Sequence, residues 1–455
     1  MILRKREQRL WSIITKETTT ACLGQRPRKN QLWLKRLQIF LLPSLVLLYL
    51  AMRTHQPNQM EELPTSNLAL RSSLSVSSPR SKLRFDWTNL ELHSVLAKRM
   101  AQQQRNCSLP LVDFRYRNMY GLGSDLHVWT QAMCKAIQEG VRIRTEPPWI
   151  YLDTAACHKI SSNSAVLKSN PNQPKQVYFP SAMTCYFPQS ELLCQDDAAI
   201  AMTHDDNSTN RKPPPKIYVG SGNLAWVAPN TCPQVRSLYN NLSISDVRAA
   251  GIEFLFSHVS PIIVAEAKRQ AAHVFRRAPV PGQSPSNLIT VQVRWGDKKD
   301  EMKLVPAEKY VQAIETILLQ RRQPKIKGQQ QPGQQQSLAN NGAHIFLSTE
   351  DPDAVRQFSE ICRDRNWTLY VDEYFSDFLN DRSAEYNGNP KMAQNLQGQP
   401  GLVALGSLLV AMQANDFVLT TGSNWSRLIN ELRKNILDPR CGNCTTMVDL
   451  SFGEW

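Results

Sequence analysis

Residues 288–294 read Leu-Ile-Thr-Val-Gln-Val-Arg, a run rich in β-branched side chains in which apolar and polar positions alternate. Alternation of this kind predicts a β-strand. Pro306 then opens a predicted helix that runs to Leu319, with its apolar residues at helical spacing on one face. A strand followed by an amphipathic helix is the unit from which parallel sheets are built.

The same strand–helix unit repeats toward the C-terminus. Further predicted strands cover 344–348, 368–371 and 417–420, and further predicted helices cover 352–363, 402–413 and 426–435. This alternating order predicts a parallel sheet with helices on both faces. We therefore predict an α/β fold with a Rossmann-type parallel sheet over residues 282–455. The glutamine-rich stretch 323–342 interrupts a helix-to-strand connection and is predicted to be a disordered surface insertion.

A less regular region, residues 106–281, precedes this sheet and is predicted to form a looser N-terminal α/β subdomain. Near its start, Gly121 and Gly123 lead into a predicted helix over 128–140. The pair of glycines lacks the third glycine of a dinucleotide-binding fingerprint, so the nucleotide signal is weak. Residues 245–277 are predicted to form one or two helices.

The N-terminus has the pattern of a membrane anchor. Residues 1–36 carry ten Lys or Arg and two Glu, and residues 37–52 carry no charge. A cleaved signal peptide and a buried soluble helix are the alternatives, but the long basic segment and the lack of a polar face favour a signal-anchor helix. The charge bias predicts that residues 1–36 are a cytosolic tail and that residues after 52 are lumenal. Residues 53–105 are predicted to be a stem.

The net charge of +14 raises the question of nucleic-acid binding. Most of that charge lies in the basic tail, and no basic stripe interleaved with aromatic residues is found, so we expect no nucleic-acid partner. Six Asn-x-Ser/Thr sequons and nine cysteines after the anchor agree with a lumenal location. Cys441 and Cys444 are predicted to form a short structural disulfide or to pair separately, and the odd number leaves one thiol free or bridging two chains.

Polar residues follow the predicted strands at one edge of the sheet, where ligands of such sheets bind. Arg294 follows the first strand and can hold two phosphate oxygens in a fork. Gly422 and Ser423 precede the last helix, whose N-terminal N–H groups can hold an anion. Glu350 and Asp351 follow the second strand and can align hydroxyl groups or accept a proton.

Asp351 and Asp353 form a DxD tripeptide, which holds Mn²⁺ in some nucleotide-sugar transferases. Pro352 between them lies at a predicted helix start, where acidic residues are favoured by the helix dipole in any case. Metal-dependent transfer is therefore kept as an alternative, and the main prediction is that no metal or other cofactor is needed.

The residues at the strand ends resemble those of the α1,6-fucosyltransferase family and its bacterial relatives. The similar segments are Val291–Glu301 with Pro306 and Tyr310, Ser348–Pro352, Met412–Ser423 and Met119–His127. The resemblance implies a GT-B-like fold, GDP-fucose as the donor, a metal-independent inverting transfer and a type II Golgi membrane enzyme. It also implies a glycan or glycoprotein acceptor, with α1,6 transfer to an N-glycan as the family's reaction.

The resemblance also assigns roles to single residues. Arg294 would hold the β-phosphate of the donor, and Glu301, assisted by Lys298, would be the base for the acceptor hydroxyl. The remaining residues that it places at positions important for activity or donor binding are Asp297, Tyr310, Glu350, Asp351, Gly422, Ser423, Gly121 and Gly123.

The sequence departs from the family at three further positions. Trp295 replaces the second arginine, Gln292 replaces a guanine-contacting histidine, and Ser407 replaces a guanine-reading aspartate. These replacements leave open a related transferase with another donor or a protein acceptor, as in O-fucosyltransferases. A non-catalytic lumenal glycan-binding protein and a homodimer remain open as well.

Overall fold

The computed structural model describes residues 85–114, 121–146, 149–151, 182–191, 194, 216–217, 232–295, 303–322, 342–372 and 398–451. All of these residues belong to one compact unit, Arg80–Trp455. The predicted tail, membrane helix and glutamine-rich stretch up to residue 341 lie outside the described residues, as do Asp297, Lys298 and Glu301. Residues 85–105 fall within the predicted stem but belong to the folded unit, since Trp87 and Leu96 lie in its core.

The described residues of the N-terminal half form a small parallel sheet and six helices. The strands are β1 (Leu111–Phe114), β2 (Arg142–Thr145) and β3 (Lys216–Ile217), in the order β2-β1-β3. The helices are α1 (Val95–Arg105), α2 (Leu122–Glu139), α3 (Ala182–Tyr186), α4 (Pro233–Leu238), α5 (Ile244–Phe256) and α6 (Pro261–Val274). The two-helix interpretation of residues 245–277 is confirmed, whereas α2 begins six residues before the predicted start.

The C-terminal half contains the predicted parallel sheet. Its strands are β4 (Leu288–Gln292), β5 (His344–Ser348), β6 (Thr368–Val371), β7 (Asp416–Leu419) and β8 (Thr446–Asp449), in the order β6-β5-β4-β7-β8. Its helices are α7 (Ala307–Arg322), α8 (Pro352–Asp364), α9 (Gln399–Ala411), α10 (Asn424–Leu432) and α11 (Asp438–Cys441), with a π-helical turn over Arg433–Leu437. Every neighbouring pair of strands is parallel. The mixed α/β architecture with a parallel sheet is therefore as predicted.

Helices cover both faces of this sheet, and the strand alternation shows why. Leu288 of β4 belongs to a core shared with α5, α6, α9 and α10. Ile289 and Val291 point to the opposite face and belong to a core shared with α7 and α8. Successive side chains of a strand face opposite ways, so β4 contributes apolar side chains to both cores.

No single helix among the described residues is long and apolar enough to span a membrane, although α5 and α6 together, bent by 91°, have sufficient length and apolar composition.

Disulfides tie distant parts of the N-terminal half together. Cys107 bonds to Cys194 and Cys134 bonds to Cys232, while Cys441 bonds to Cys444 near the C-terminus. Cys185 is also disulfide-bonded. The interpretation of the Cys441–Cys444 pair as a short disulfide is confirmed. A free thiol is found as well, at the buried Cys362.

Replacing Cys134 and Cys232 together by Ala is expected to lower the free energy of unfolding by about 2–5 kcal/mol. The bond closes a loop of sequence separation 98, so it removes much conformational freedom from the unfolded chain. Denaturant unfolding followed by circular dichroism measures the change. The matched control is the double Ala variant at Cys441 and Cys444, whose separation is 3 and whose loss should be smaller. An equal loss in both variants would contradict the loop-entropy explanation.

Candidate active site

Three loops meet at the carboxyl edge of the C-terminal sheet. Gln292 of β4 pairs with Ser348 of β5, and Val291 pairs with Val418 of β7. The segments that follow these adjacent strands are therefore brought together at one edge, as the order of the elements predicted.

Arg294 is held just beyond the end of β4. Its Nη1 forms an ion pair with Oε2 of Glu350, which follows β5. The Arg294 side chain is 14% exposed and that of Glu350 is 36% exposed, so the pair is accessible from one side. A half-buried guanidinium beside a more exposed carboxylate is able to exchange that partner for an incoming anion.

The N-terminal half contributes to the surroundings of Arg294 through Tyr151. Burial raises the pKa of the Tyr151 hydroxyl, and the charges of Asp125 and Glu350 act in the same direction, whereas Arg294 lowers it. Asp125, at the start of α2, also accepts a hydrogen bond from Trp149 Nε1 at 3.0 Å. Tyr151 therefore stays protonated at neutral pH and can act as a hydrogen-bond donor at this edge.

The loop after β7 is held by its own neighbours. Thr421 donates its backbone N–H to Asp449 Oδ1 at 3.0 Å and its hydroxyl to Asp449 Oδ2. The N–H of Gly422 donates to the carbonyl of Ser451 at 2.8 Å. This anchoring to the end of β8 fixes the approach to α10.

Two helix N-termini converge at this loop. Ser423 is the N-cap of α10 and Gly121 is the N-cap of α2, and neither helix has a side-chain cap. A Cβ atom at Gly123 would lie 3.4 Å from the backbone carbonyl of Asn424, so the two helix starts are in contact. The first N–H groups of a helix have no intrahelical acceptor, and two such ends together create a positive potential suited to an anion.

Charged side chains are buried beneath these two helix starts. His127 Nε2 of α2 lies 2.7 Å from Glu431 Oε2 of α10. Arg248 of α5 and Arg427 of α10 are also buried. Burial lowers the pKa of Arg427 to about 9, with Arg248 acting in the same direction and Glu431 opposing it. Asp449 opposes the shift as well, so the two buried arginines are accompanied by two carboxylates.

Other predicted donor-binding residues lie deeper in the fold. Gln292 is buried, and its amide oxygen accepts a hydrogen bond from the Ser426 hydroxyl. Ser407 is buried in α9, one turn before Ala411, whose carbonyl accepts from the Thr290 hydroxyl of β4 at 2.7 Å. Gln292 therefore adjoins the start of α10, whereas Ser407 lies in the helix layer beside the sheet.

Tyr310 lies in the core between α7 and the sheet. Its ring packs edge-on against Phe358 at 5.9 Å, and burial raises the pKa of its hydroxyl. Tyr310 therefore packs in the core, and its predicted contact with the nucleotide-sugar donor stays a prediction.

Asp351 and Asp353 are engaged in ways that do not require a metal. Asp351 is the N-cap of α8, and its Oδ1 accepts from the N–H groups of Asp353 at 2.8 Å and Ala354 at 3.1 Å. Asp353 forms an exposed ion pair with Arg356. Within the part of the chain that the structure describes, no group of three or more metal-binding side chains is found.

Arg427 and His127 were given no role from the sequence, and Asn424 was noted only as a sequon in the loop before the last helix. Arg427 and Glu431 are four residues apart in a helix, which is the usual spacing of a solvent-exposed ion pair. Only the fold shows that both are buried and that they meet α2. The sequence feature that could have pointed to Arg427 is its position, one helical turn after Ser423, which was predicted to bind an anion.

Asn424 begins a sequon, and we expect it to carry no glycan when the protein is produced in the secretory pathway. Its amide nitrogen donates to the Ser124 hydroxyl at 2.5 Å and its oxygen accepts from Arg427 at 3.0 Å. The asparagines of the sequons at Asn241, Asn366 and Asn443 are exposed in turns and serve as internal references. Mass spectrometry of glycopeptides measures the occupancy, and a glycan at Asn424 would contradict the proposed site.

Solved structures similar to this chain are fucosyltransferases. One is a mutant of FUT1 from Arabidopsis thaliana in complex with GDP, with a TM-score of 0.36 and 11% identity over 74% of this chain and 73% of that chain. The fucosyltransferase NodZ from Bradyrhizobium has a TM-score of 0.29 and 14% identity over 70% of this chain and 92% of its own. NodZ α-1,6-fucosyltransferase soaked with GDP-fucose has a TM-score of 0.31 and 13% identity, covering 71% and 92%.

At these TM-scores and identities the likeness assigns no activity to this chain. No protein-family model matches the sequence, and no curated protein matches it significantly. The functional conclusion therefore depends on the residues and their geometry.

Proposed function

We propose that this protein is a glycosyltransferase with a GT-B-like fold that transfers fucose from GDP-fucose to a glycan acceptor, with inversion and without a metal. The observation that carries the proposal is the convergence of two uncapped helix N-termini, those of α2 and α10, at the sheet edge where Arg294 lies. Such a site suits a diphosphate, which is both the anionic handle of a nucleotide sugar and its leaving group.

The chemistry needs charge stabilisation on the departing diphosphate and a base on the acceptor side. Arg294 and the N–H groups at the start of α10 supply the first, since they can meet phosphate oxygens without a metal ion. Glu301 is proposed as the base that takes the proton of the acceptor hydroxyl. Lys298 would keep Glu301 ionised, and Asp297 lies in the same segment.

The ion pair between Arg294 and Glu350 fits a donor site that is ready for exchange. A diphosphate can replace Glu350 on one edge of the guanidinium, which has five N–H donors. Gln292 is proposed to contact the base of the donor through its amide nitrogen, because its oxygen already accepts from Ser426. Because the Gln292 oxygen is engaged by Ser426, it is less available to accept from guanine. This hydrogen bond favours the second candidate function, a related transferase whose donor carries a different base.

The cellular setting is proposed from the sequence alone. The basic tail and the uncharged segment 37–52 support a type II membrane protein with its catalytic part in the Golgi lumen. The α1,6 linkage to an N-glycan is supported by the resemblance at the strand ends. A protein acceptor and a homodimer remain compatible with the same site.

Donor profiling tests the proposal. The full-length protein is incubated with GDP-fucose, GDP-mannose, UDP-galactose or CMP-sialic acid and with an N-glycan acceptor, with and without EDTA. We expect fucose transfer from GDP-fucose alone. Transfer from a different nucleotide sugar would favour the second candidate, and loss of transfer on addition of EDTA would favour a metal-dependent mechanism. If the protein neither hydrolyses any of the donors nor transfers sugar from them, to the N-glycan or to protein acceptors, the assignment as an enzyme is contradicted.

A further inference from the structure

The loop between β7 and α10 leaves none of its own backbone polar groups for a ligand. The N–H groups of Thr421, Gly422 and Ser423 donate to Asp449, Ser451 and Thr420. The carbonyl oxygen of Ser423 accepts from the N–H of Arg427 at 3.1 Å. The loop is therefore a rigid support, and the N–H groups that can face an anion are those of the first helical residues, 424–426.

The Arg427 side chain holds the remaining acceptors of this loop. Its Nε donates to the Thr421 carbonyl at 2.5 Å, and its Nη2 donates to the Gly422 carbonyl at 3.2 Å. Its Nη1 donates to Asn424 Oδ1 at 3.0 Å. One planar guanidinium thus fixes three acceptors within residues 421–424, a geometry that a lysine ammonium cannot reproduce.

Asn424 extends this arrangement to the other helix. Its Nδ2 donates to the Ser124 hydroxyl at the start of α2, while its Oδ1 accepts from Arg427. His127 Nδ1, also on α2, lies 3.4 Å from the same oxygen. A continuous chain of hydrogen bonds from Arg427 through Asn424 to Ser124 therefore sets the orientation of one helix N-terminus relative to the other.

We propose that Arg427 is a positioning residue of the donor site: through the Thr421 and Gly422 carbonyls and the Asn424 amide, it aligns the N-termini of α10 and α2 on one diphosphate. This inference rests on the proposed function, since it assigns the ligand of the two helix ends to the donor. Arg427 acts through the loop and the amide, and it has no direct contact with the sugar.

Arg427 is buried among charges that compensate one another. It is 8% exposed and lies close to Arg248, while the carboxylates of Glu431 and Asp449 act on it in the opposite sense. The positioning role of Arg427 therefore rests on its hydrogen bonds, which fix the loop and the Asn424 amide.

The test compares Arg427→Lys with Arg433→Lys in the full-length protein. Arg433 is 9% exposed and donates to Asn430, Asp438 and Thr445, but it has no contact with the loop 421–423. We expect Arg427→Lys to raise the GDP dissociation constant and the donor KM by about tenfold or more, with the acceptor KM unchanged. Arg433→Lys should bind GDP as the wild type does, even where its thermal stability falls to a similar degree.

A second variant, Asn424→Asp, keeps the measurement decisive if Arg427→Lys does not fold. Aspartate still accepts from Arg427 and is favoured in the first turn of a helix. It cannot donate to Ser124 as the amide does, but the Ser124 hydroxyl can donate to the carboxylate instead, so the fold should be kept. It also places a negative charge where the diphosphate would bind, and GDP affinity should fall by about tenfold or more.

The outcomes separate the two claims. Wild-type affinity for GDP in both Arg427→Lys and Asn424→Asp would overturn the positioning role while leaving the proposed function intact. Failure of the wild-type protein to bind GDP would overturn the proposed function, and the positioning role with it. Weakened binding in Arg427→Lys and unchanged binding in Arg433→Lys supports the proposal.

Discussion

Arg294→Ala is expected to abolish sugar transfer while the fold survives. Removal of one preorganised donor to a developing negative charge typically lowers turnover by about 10²–10³-fold. Arg294 lies at the same edge of the sheet as the loop that leads into α10, and its loss leaves Glu350 without this partner. Turnover of GDP-fucose and calorimetric binding of GDP should both fall, because the proposed contact of the guanidinium with the diphosphate would act in the ground state and in the transition state.

The control is Arg321→Ala, at the opposite end of the same sheet. Arg321 is 18% exposed, is ion-paired with Asp416 and donates to the Asn287 carbonyl at 3.1 Å. Its removal should lower stability, since it leaves the carboxylate of Asp416 buried, but transfer measured below the unfolding temperature should persist. Wild-type turnover in Arg294→Ala would contradict the assignment, as would an equal loss of turnover in the two variants.

Glu301→Gln is expected to abolish transfer while GDP still binds. The amide cannot accept the proton of the acceptor hydroxyl, and a positioned general base contributes about 10²–10⁴-fold. The effect should therefore appear in kcat, with the GDP dissociation constant within about twofold of the wild type. This combination separates Glu301 from Arg294, whose replacement weakens both binding and turnover.

Glu308→Gln is the matched control for the base. Glu308 is an exposed carboxylate in the first turn of α7, a short distance along the chain from Glu301. Its loss removes the same charge without touching the proposed chemistry, so turnover should be unchanged. Full activity in Glu301→Gln, or a comparable loss in Glu308→Gln, would remove Glu301 from the role of base.

The C-terminal sheet could be predicted from the sequence because its strands are apolar and its helices amphipathic. β5 and β6 have the predicted bounds, and β4 and β7 differ from them by one or two residues. Strand β8 was missed because Thr446–Asp449 is short and only partly buried on every residue. Periodicity identifies long buried elements well and short peripheral ones poorly.

The strands of the N-terminal half carry charged residues, and for this reason the sequence pattern did not identify them as strands. Asp113 of β1 pairs in register with Arg144 of β2, and the two side chains form a salt bridge at 2.7 Å. Arg142 of β2 is buried and donates to the Leu109 carbonyl at 3.1 Å. Charged residues in short strands lack the alternation that marks a half-buried strand, so tertiary pairing alone explains them.

The early start of α2 has a similar cause. Gly121 and Gly123 precede the helix predicted over 128–140, and glycine is unfavourable inside helices. In the structure Gly123 lies in the first turn, where any side chain would approach the Asn424 backbone. At 3.4 Å a Cβ atom there would make an ordinary van der Waals contact, and no local pattern could reveal that the two helix ends meet at this residue.

The candidate site was predictable in outline and not in its supporting contacts. Topology placed Arg294, Glu350 and Ser423 at one edge of the sheet, since the ends of parallel strands meet there. The buried Arg427 and the amide of Asn424 became recognisable only when α2 and α10 were seen together. Asp297, Lys298 and Glu301 lie outside the described residues, so their roles stay predictions.

Calorimetric titration of the full-length protein with GDP, UDP and CDP in the presence of EDTA tests the central claim most directly. The two helix N-termini and Arg294 predict binding of a nucleoside diphosphate without a metal, and the proposed donor predicts at least about a tenfold preference for GDP. Absence of binding to all three nucleotides, or a preference for UDP or CDP, would contradict the assignment of this site to GDP-fucose.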